Sequence, residues 1–323
     1  MAVAISLFII FVCLCGISIS EGQLRAGFYA DTCPDAESTV SSVVREAAQF
    51  SSKVAPALLR LHFHDCFVQG CDGSILINNG GNAEKHAFSH QGVGGFEVID
   101  KAKSQLENLC PGVVSCADIV ALAARDAVVL ANGPAYVVQT GRRDGRVSSV
   151  SAADNMPDVT DSIQQLKAKF IQKGLSEKDL VILSAAHTIG TTACFFMTER
   201  LYSFPQNGGT DPSINPSFLP ELRSSCPQNG NVNARLPIDR GSGDTFDVRI
   251  MQNIRGGFAV LQSDAQLYVD ETTKEIVDSY IDPNPIFGPN FESDFADSMV
   301  RMGTLGVNTG FEGEIRRTCS AFN

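Results

Sequence analysis

The apolar positions of this chain recur mainly at three- and four-residue intervals, and strict two-residue alternation is scarce, so the pattern predicts a mainly α protein. Helices are expected over Asp35 to Phe50, Phe96 to Asn108, Cys116 to Leu130, Ile163 to Lys173, Phe246 to Gln252 and Asn290 to Leu305. Pro56 suits the first turn of another helix that runs to His64. Ser176 and Asp179 have the spacing of a capping box that opens Leu180 to Ala186. Asn78 to Gly95, Tyr202 to Pro216 and Asp282 to Pro289 are rich in Gly, Pro or Asn and read as loops. No internal repeat or low-complexity linker divides the chain.

One segment breaks the pattern. Ala2 to Ser20 is almost unbroken apolar sequence, and small residues surround Ser20 to Gly22. That reads as a secretory signal peptide over 1–22, cleaved near Gly22, with 23–323 as the mature domain. No Lys or Arg precedes the run, and its length is nearly enough to span a bilayer, so a retained anchor is the alternative.

Composition narrows the function classes. A chain of 323 residues, 44% hydrophobic, can bury the core of one large domain or of two intimate halves. A formal charge of -11 argues against nucleic-acid binding and leaves no membrane footprint. Of ten cysteines, Cys13 and Cys15 lie in the leader. The other eight are an even set, which in an exported chain implies disulfides whose connectivity counting does not give. No CxxC pair supports the zinc alternative. The absence of an Asn-x-Ser/Thr triplet predicts no N-glycan.

Two helices carry candidate chemistry. Arg60 and His64 are spaced i, i+4 and share a face, with Phe63 beside them. By spacing alone, a packed histidine and an arginine paired with a carboxylate are the favoured explanation. His187 ends an apolar helix near Gly190, and spacing does not distinguish iron, zinc or a core histidine.

The words around these residues do. Leu59-Arg60-Leu61-His62-Phe63-His64-Asp65-Cys66-Phe67-Val68-Gln69-Gly70-Cys71-Asp72-Gly73-Ser74 resembles the distal signature of the plant secretory (class III) haem peroxidases. Leu183-Ser184-Ala185-Ala186-His187-Thr188-Ile189-Gly190 resembles their proximal signature, with Ala185 where Gly is usual. The likeness continues through Cys116-Ala117-Asp118, Gly141-Arg142-Arg143-Asp144, Arg200-Leu201-Tyr202, Gln262-Ser263-Asp264 and Thr318-Cys319, in family order.

The resemblance implies a haem-peroxidase fold, with distal and proximal helical halves around one haem b, two calcium ions and four disulfides. Those would be Cys33–Cys110, Cys66–Cys71, Cys116–Cys319 and Cys194–Cys226, each long closure adding ~2–4 kcal/mol. Asp118 and Arg142 match the family's buried ion pair. His64 matches the acid–base catalyst, Arg60 the charge stabiliser, His187 the axial iron ligand and Asp264 its carboxylate partner. The distal calcium set would be the side chains of Asp65, Asp72 and Ser74 with the carbonyls of Val68 and Gly70. The proximal set would be Thr188, Asp239, Ser242 and Asp247 with the Thr245 carbonyl. Pro157 matches the proline at the exposed haem edge, where aromatic donors meet the protein, and Phe88 is expected near that entrance.

The chain departs from the family pattern at one telling place. Six residues after Glu84, where relatives usually have an Asn that accepts from the distal histidine, stands His90. Gly94 and Gly95 replace a common Arg-Gly, and Tyr136 stands where many relatives carry Trp. The expected activity is reduction of hydrogen peroxide with one-electron oxidation of phenolic donors, by a monomer in the apoplast or cell wall. The chain stops four residues after Cys319, without a tail of vacuolar type. The alternatives are a pseudoenzyme acting as a calcium-dependent binding or wall-structural protein, and a haem oxidase. Peroxide-dependent oxidation of a phenol separates them.

Overall fold

The computed structural model describes residues 23–206, 208–284 and 287–323. The leader expected over Ala2 to Ser20 lies outside the described residues. Twelve α-helices, six short 3₁₀ turns and one two-stranded sheet make up the described secondary structure. The first four are α1 (Ala36–Phe50), α2 (Val54–Phe67), α3 (Phe96–Leu109) and α4 (Cys116–Leu130). Then come α5 (Ile163–Gln172), α6 (Glu177–Ser184), α7 (Thr198–Tyr202), α8 (Leu219–Ser225), α9 (Arg249–Gly256), α10 (Gln262–Gln266), α11 (Glu271–Ile281) and α12 (Phe291–Met302). Among the described residues no helix is long and apolar enough to cross a membrane.

Local chemistry sets several of these ends. The Ser115 hydroxyl accepts from the Asp118 N–H and starts α4, whose span matches the expectation to the residue. Ser176 and Asp179 form the expected capping box, but the helix they open ends at Ser184, so His187 sits on the 3₁₀ turn Ala185–Thr188 that follows. Helix α9 begins at Arg249 rather than Phe246. The Phe246 N–H is drawn to the Ala131 carbonyl at 2.8 Å, and its ring packs 4.6 Å from Phe295. The pattern gave no sign of α7, α8, α10 and α11.

Three apolar clusters organise the chain. One gathers Val40, Val44, Ile99, Leu106, Ile119 and Leu122 from α1, α3 and α4. A second gathers residues of α5, α6, α9, α11 and α12, and a third surrounds Cys194 and Cys226. Helix α2 is the seam between the first two: Leu58 and Leu61 enter one, Leu59 and Phe67 the other. Its Arg60 and Phe63 lie between these burying faces and remain half-exposed.

Strands β1 (Thr191–Ala193) and β2 (Arg235–Pro237) pair antiparallel, with Thr192 opposite Leu236. This short sheet brings Asp239 beside Thr188, just after His187. Gly190 holds a φ of 103°, and a Cβ there would press on the Pro56 ring in the first turn of α2. The turn bearing His187 is thereby fitted closely to the helix bearing Arg60 and His64. All four disulfides expected from the resemblance are formed. Asp118 and Arg142 pair at 2.8 Å with both side chains buried.

Candidate active site

Helix α2 presents Arg60 and His64 one turn apart, and Arg60 Nε donates to His64 Nε2 at 3.1 Å. A second guanidinium N–H of Arg60 donates to the Gln91 carbonyl at 3.0 Å, which ties α2 to the loop that follows it. That loop also delivers His90, whose Nδ1 lies 2.7 Å from His64 Nδ1. Beyond it, Glu84 Oε1 lies 3.5 Å from His90 Nε2, both side chains fully buried. Phe63 stacks on Phe67 at 4.4 Å and meets the His64 ring edge-on at 5.7 Å. Burial, then the charge of Arg60 and the neighbouring His90, push the His64 imidazole well below its ordinary range, so it is neutral. Burial and repulsion by Arg235 lower Arg60 to about 10, still protonated at neutral pH.

On the other side, His187 Nδ1 lies 2.8 Å from Asp264 Oδ1. Burial alone would lower this imidazole, but attraction and hydrogen bonding by Asp264 outweigh it, and the group is raised. The His187 side chain is 37% exposed although it is desolvated like a core group, so the exposed surface faces a cleft inside the protein. Arg60 acts electrostatically on His187, and Gly190 packs against Pro56 of α2, so the two histidine-bearing elements lie near one another. Arg235 on β2 is also close enough to repel Arg60. Sequence reading missed Arg235 because nothing in the periodicity ties β2 to α2.

Two sets of oxygens flank the histidines. Beside His64, the Gly73 N–H donates to Asp65 Oδ2 at 3.0 Å and the Ser74 N–H to Asp72 Oδ1 at 3.0 Å. The Gly70 carbonyl accepts from the Asp72 N–H at 2.8 Å. The Val68 carbonyl accepts from Lys173 Nζ at 2.7 Å. Beside His187, the Thr188 hydroxyl lies 3.1 Å from Asp239 Oδ2, 3.3 Å from the Thr245 carbonyl and 3.4 Å from Asp247 Oδ1. Ser242 Oγ donates to Asp247 Oδ2 at 2.5 Å. Pro157 is half-buried in the loop after the 3₁₀ turn Val150–Ala153. Phe88 is 60% exposed and its ring lies 6.1 Å from that of Phe195.

The sequence has close counterparts among known proteins. The peroxidase family profile matches residues 40–282. Peroxidase 43 of Arabidopsis thaliana is 64% identical over 324 residues, covering 100% of this chain and 98% of the relative. The chain belongs to the plant class III peroxidase family. Peroxidase 13 of Arabidopsis thaliana is 57% identical over 309 residues, 95% of each chain. Peroxidase N1 of Nicotiana tabacum is 49% identical over 316 residues, covering 98% of this chain and 96% of the relative. The protein is accordingly an enzyme of the haem peroxidase class.

The residues of this peroxidase fit a haem. Among the described residues His187 Nε2 has no hydrogen-bond partner while Asp264 holds Nδ1, the arrangement of an imidazole able to bind a metal. The half-buried Phe63, edge-on to His64, and the half-buried Ala186, next to His187 in sequence, supply apolar surface beside the two histidines. The flanking oxygens fit a hard cation. Asp65 Oδ1 and Ser74 Oγ are buried without a partner, and burial with the charges of Asp72 and Glu84 drives Asp65 well above the carboxylate range. Burial, with repulsion from Asp247, likewise pushes Asp239 up to about 6. No group of three or more His, Cys, Asp or Glu side chains forms a metal cluster among the described residues, so each set depends on hydroxyl and carbonyl oxygens as well.

Proposed function

We propose that this peroxidase reduces hydrogen peroxide between His64 and His187 and oxidises small phenolic donors one electron at a time. The observation that carries the reading is the pair of histidines, one held neutral beside an arginine and one made more basic by a carboxylate. His187 would bind the haem iron through Nε2, and the bound haem supplies the electrons that split the O–O bond. His64 Nε2 takes the proton from the peroxide oxygen that approaches the cleft floor. The same nitrogen then returns it to the departing oxygen, which leaves as water. Arg60, fixed by the Gln91 carbonyl and always charged, stabilises the negative charge that grows on that oxygen. Asp264 draws proton density from Nδ1 of His187 and makes the imidazole a stronger donor.

Asp65, Val68, Gly70, Asp72 and Ser74 would hold one calcium ion. Thr188, Asp239, Ser242, Thr245 and Asp247 would hold the other. The Val68 oxygen would be shared between the cation and Lys173 Nζ, which its two lone pairs permit. Pro157 and the exposed Phe88 are assigned to the donor entrance. A monomer exported to the apoplast or cell wall accords with the four disulfides and the acidic surface.

The experiment is stopped-flow mixing of the haem-loaded protein with hydrogen peroxide. His64→Ala should slow the first oxidation step by about 10²–10⁴-fold while the Soret band survives. An unchanged rate would remove His64 from its assigned role.

A further inference from the structure

Strand β2 carries a cation that the chain leaves without an anion. Arg235 is exposed, yet its guanidinium is pinned: Nε donates to the Thr191 hydroxyl at 2.7 Å and Nη2 to the Thr191 carbonyl at 2.5 Å. Both N–H groups of Nη1 and the second of Nη2 are left over. Among the described residues no carboxylate lies in ion-pair reach of Arg235, although the sequence holds 36 acidic residues against 25 basic ones. Other anchored arginines have one, Arg142 in Asp118 and Arg200 in Asp211. Pinning a long side chain gives up rotamer freedom, and the bonds to Thr191 leave the charge itself unanswered.

The fold places this cation beside the elements that carry the two histidines. Thr191 follows His187 by four residues, and Ala193 is the register partner of Arg235. Three contacts tie this sheet to the surroundings of His64. Gly190 packs on Pro56 in the first turn of α2. Phe195, two residues past Ala193, meets the ring of Phe88 at 6.1 Å, and Phe88 stands two residues before His90. Arg235 itself repels Arg60. Arg60 is already engaged, through Nε with His64 and through Nη2 with the Gln91 carbonyl. Two guanidinium groups held near one another repel, and an anion on Arg235 would offset that repulsion as well as supply the missing partner.

We propose that Arg235 is a carboxylate-binding residue at the mouth of the cleft, taking the anionic end of a molecule whose ring system enters it. This rests on the reading of the cleft as a haem and donor site. That reading supplies two sources of carboxylate: the propionate side chains of the haem, and a phenolic donor that itself bears a carboxylate. Either offers a planar pair of oxygens that matches the guanidinium fork. Phe88 and Phe195, 60% and 44% exposed, add aromatic surface on the same side of the molecule, which suits the flat body of an aromatic acid.

Two arms at neutral pH separate the sources, each comparing wild type with Arg235→Gln, which removes the charge. The first follows loss of haem from the loaded protein to excess apomyoglobin, for protein loaded with haem b and with its dimethyl ester, whose propionates are uncharged. The second compares kcat/KM for ferulic acid and for methyl ferulate in peroxide-dependent oxidation. If the haem is the source, the wild type should retain haem b better than the ester, and Arg235→Gln should shrink that ratio about 5- to 10-fold. If the donor is the source, the acid-to-ester ratio of kcat/KM should shrink by a similar factor instead. Arg235→Lys keeps the charge without the fork. It should move the same ratio by a smaller factor, and it carries the test if Arg235→Gln does not fold. Both ratios unchanged overturn the inference. A wild type that shows no Soret band with haem b, or shows one and oxidises neither phenol, overturns the reading of the cleft, and the inference falls with it.

Discussion

His64 and His187 are the same residue type on two sides of one cleft, and their surroundings push them in opposite directions. His64 is buried, carries an arginine on one nitrogen and a histidine on the other, and is held neutral. His187 keeps one nitrogen bare toward the cleft, has a buried carboxylate on the other, and is made more basic. The lesson is that the partner on the far ring nitrogen decides what the near nitrogen can do. A neutral neighbour leaves the near nitrogen unprotonated and available for proton traffic. An anionic neighbour strengthens the lone pair for holding a metal.

The severest way to break this comparison is to remove one member. His187→Ala should leave the cleft without an axial ligand, and the purified protein should lose its Soret band and its peroxide-dependent phenol oxidation together. A variant that keeps a normal Soret band would remove His187 from its assigned place. Asp264→Asn is the finer cut, because it keeps a hydrogen-bonding group at 2.8 Å from Nδ1 and deletes only the charge. It should cost about 10–100-fold in activity or haem affinity and raise the iron reduction potential. A potential that does not move would show that the carboxylate acts only as a tether.

The oxygen sets provide a comparison at one remove. Asp65 follows His64 and Thr188 follows His187 directly in the chain, so each set is one peptide from its histidine. Chelation of calcium should shift the Soret band, lower activity by a modest factor, and lower the thermal midpoint. Calcium should restore all three. Chelation without a spectral change would separate the oxygen sets from the haem faces.

How much of this could be read beforehand depends on how local each feature is. Helix α4 was legible to the residue because its apolar run is bracketed by a serine cap. Helix α11 was not. Its buried positions Thr273, Val277 and Tyr280 are sparse and partly polar, and its start depends on Asp270 accepting from the Thr273 N–H. The i, i+4 pair on α2 gave proximity but not purpose. It was the flanking signature that pointed to Arg60 and His64. The contact between His64 and His90 spans 26 residues and a loop of 3₁₀ turns, so no periodicity could reveal it. Only counting from Glu84 within the family pattern singled out His90. Arg235 had neither signal, and its nearness to Arg60 emerges only from the pairing of β2 with the strand that follows His187.

The smallest expected effect concerns a third histidine and sharpens the comparison through stability. His62, on the same helix as His64, is buried beside Cys66 Sγ at 3.5 Å. Burial, with the charge of Arg142, lowers it to about 3 from an ordinary value of 6.5. The unfolded chain therefore binds a proton at this residue that the folded chain refuses, between pH 6.5 and about 3. Folding stability contributed by neutral His62 is present above that window and is lost as pH falls through it, by at most about 1.4 kcal/mol per pH unit. His64, lowered for the same reason, adds in the same direction. In the haem-free protein His187 works against both, because its raised affinity for a proton stabilises the fold on the acid side and that contribution is lost as pH rises through its folded value. Denaturant melts of the protein between pH 7 and pH 4 should show a stability slope, and His62→Leu should flatten it by less than one proton's worth. A slope that is the same in both proteins would mean that His62 is already protonated in the fold. The desolvation that keeps His64 a neutral base would then be weaker on this helix than its burial implies.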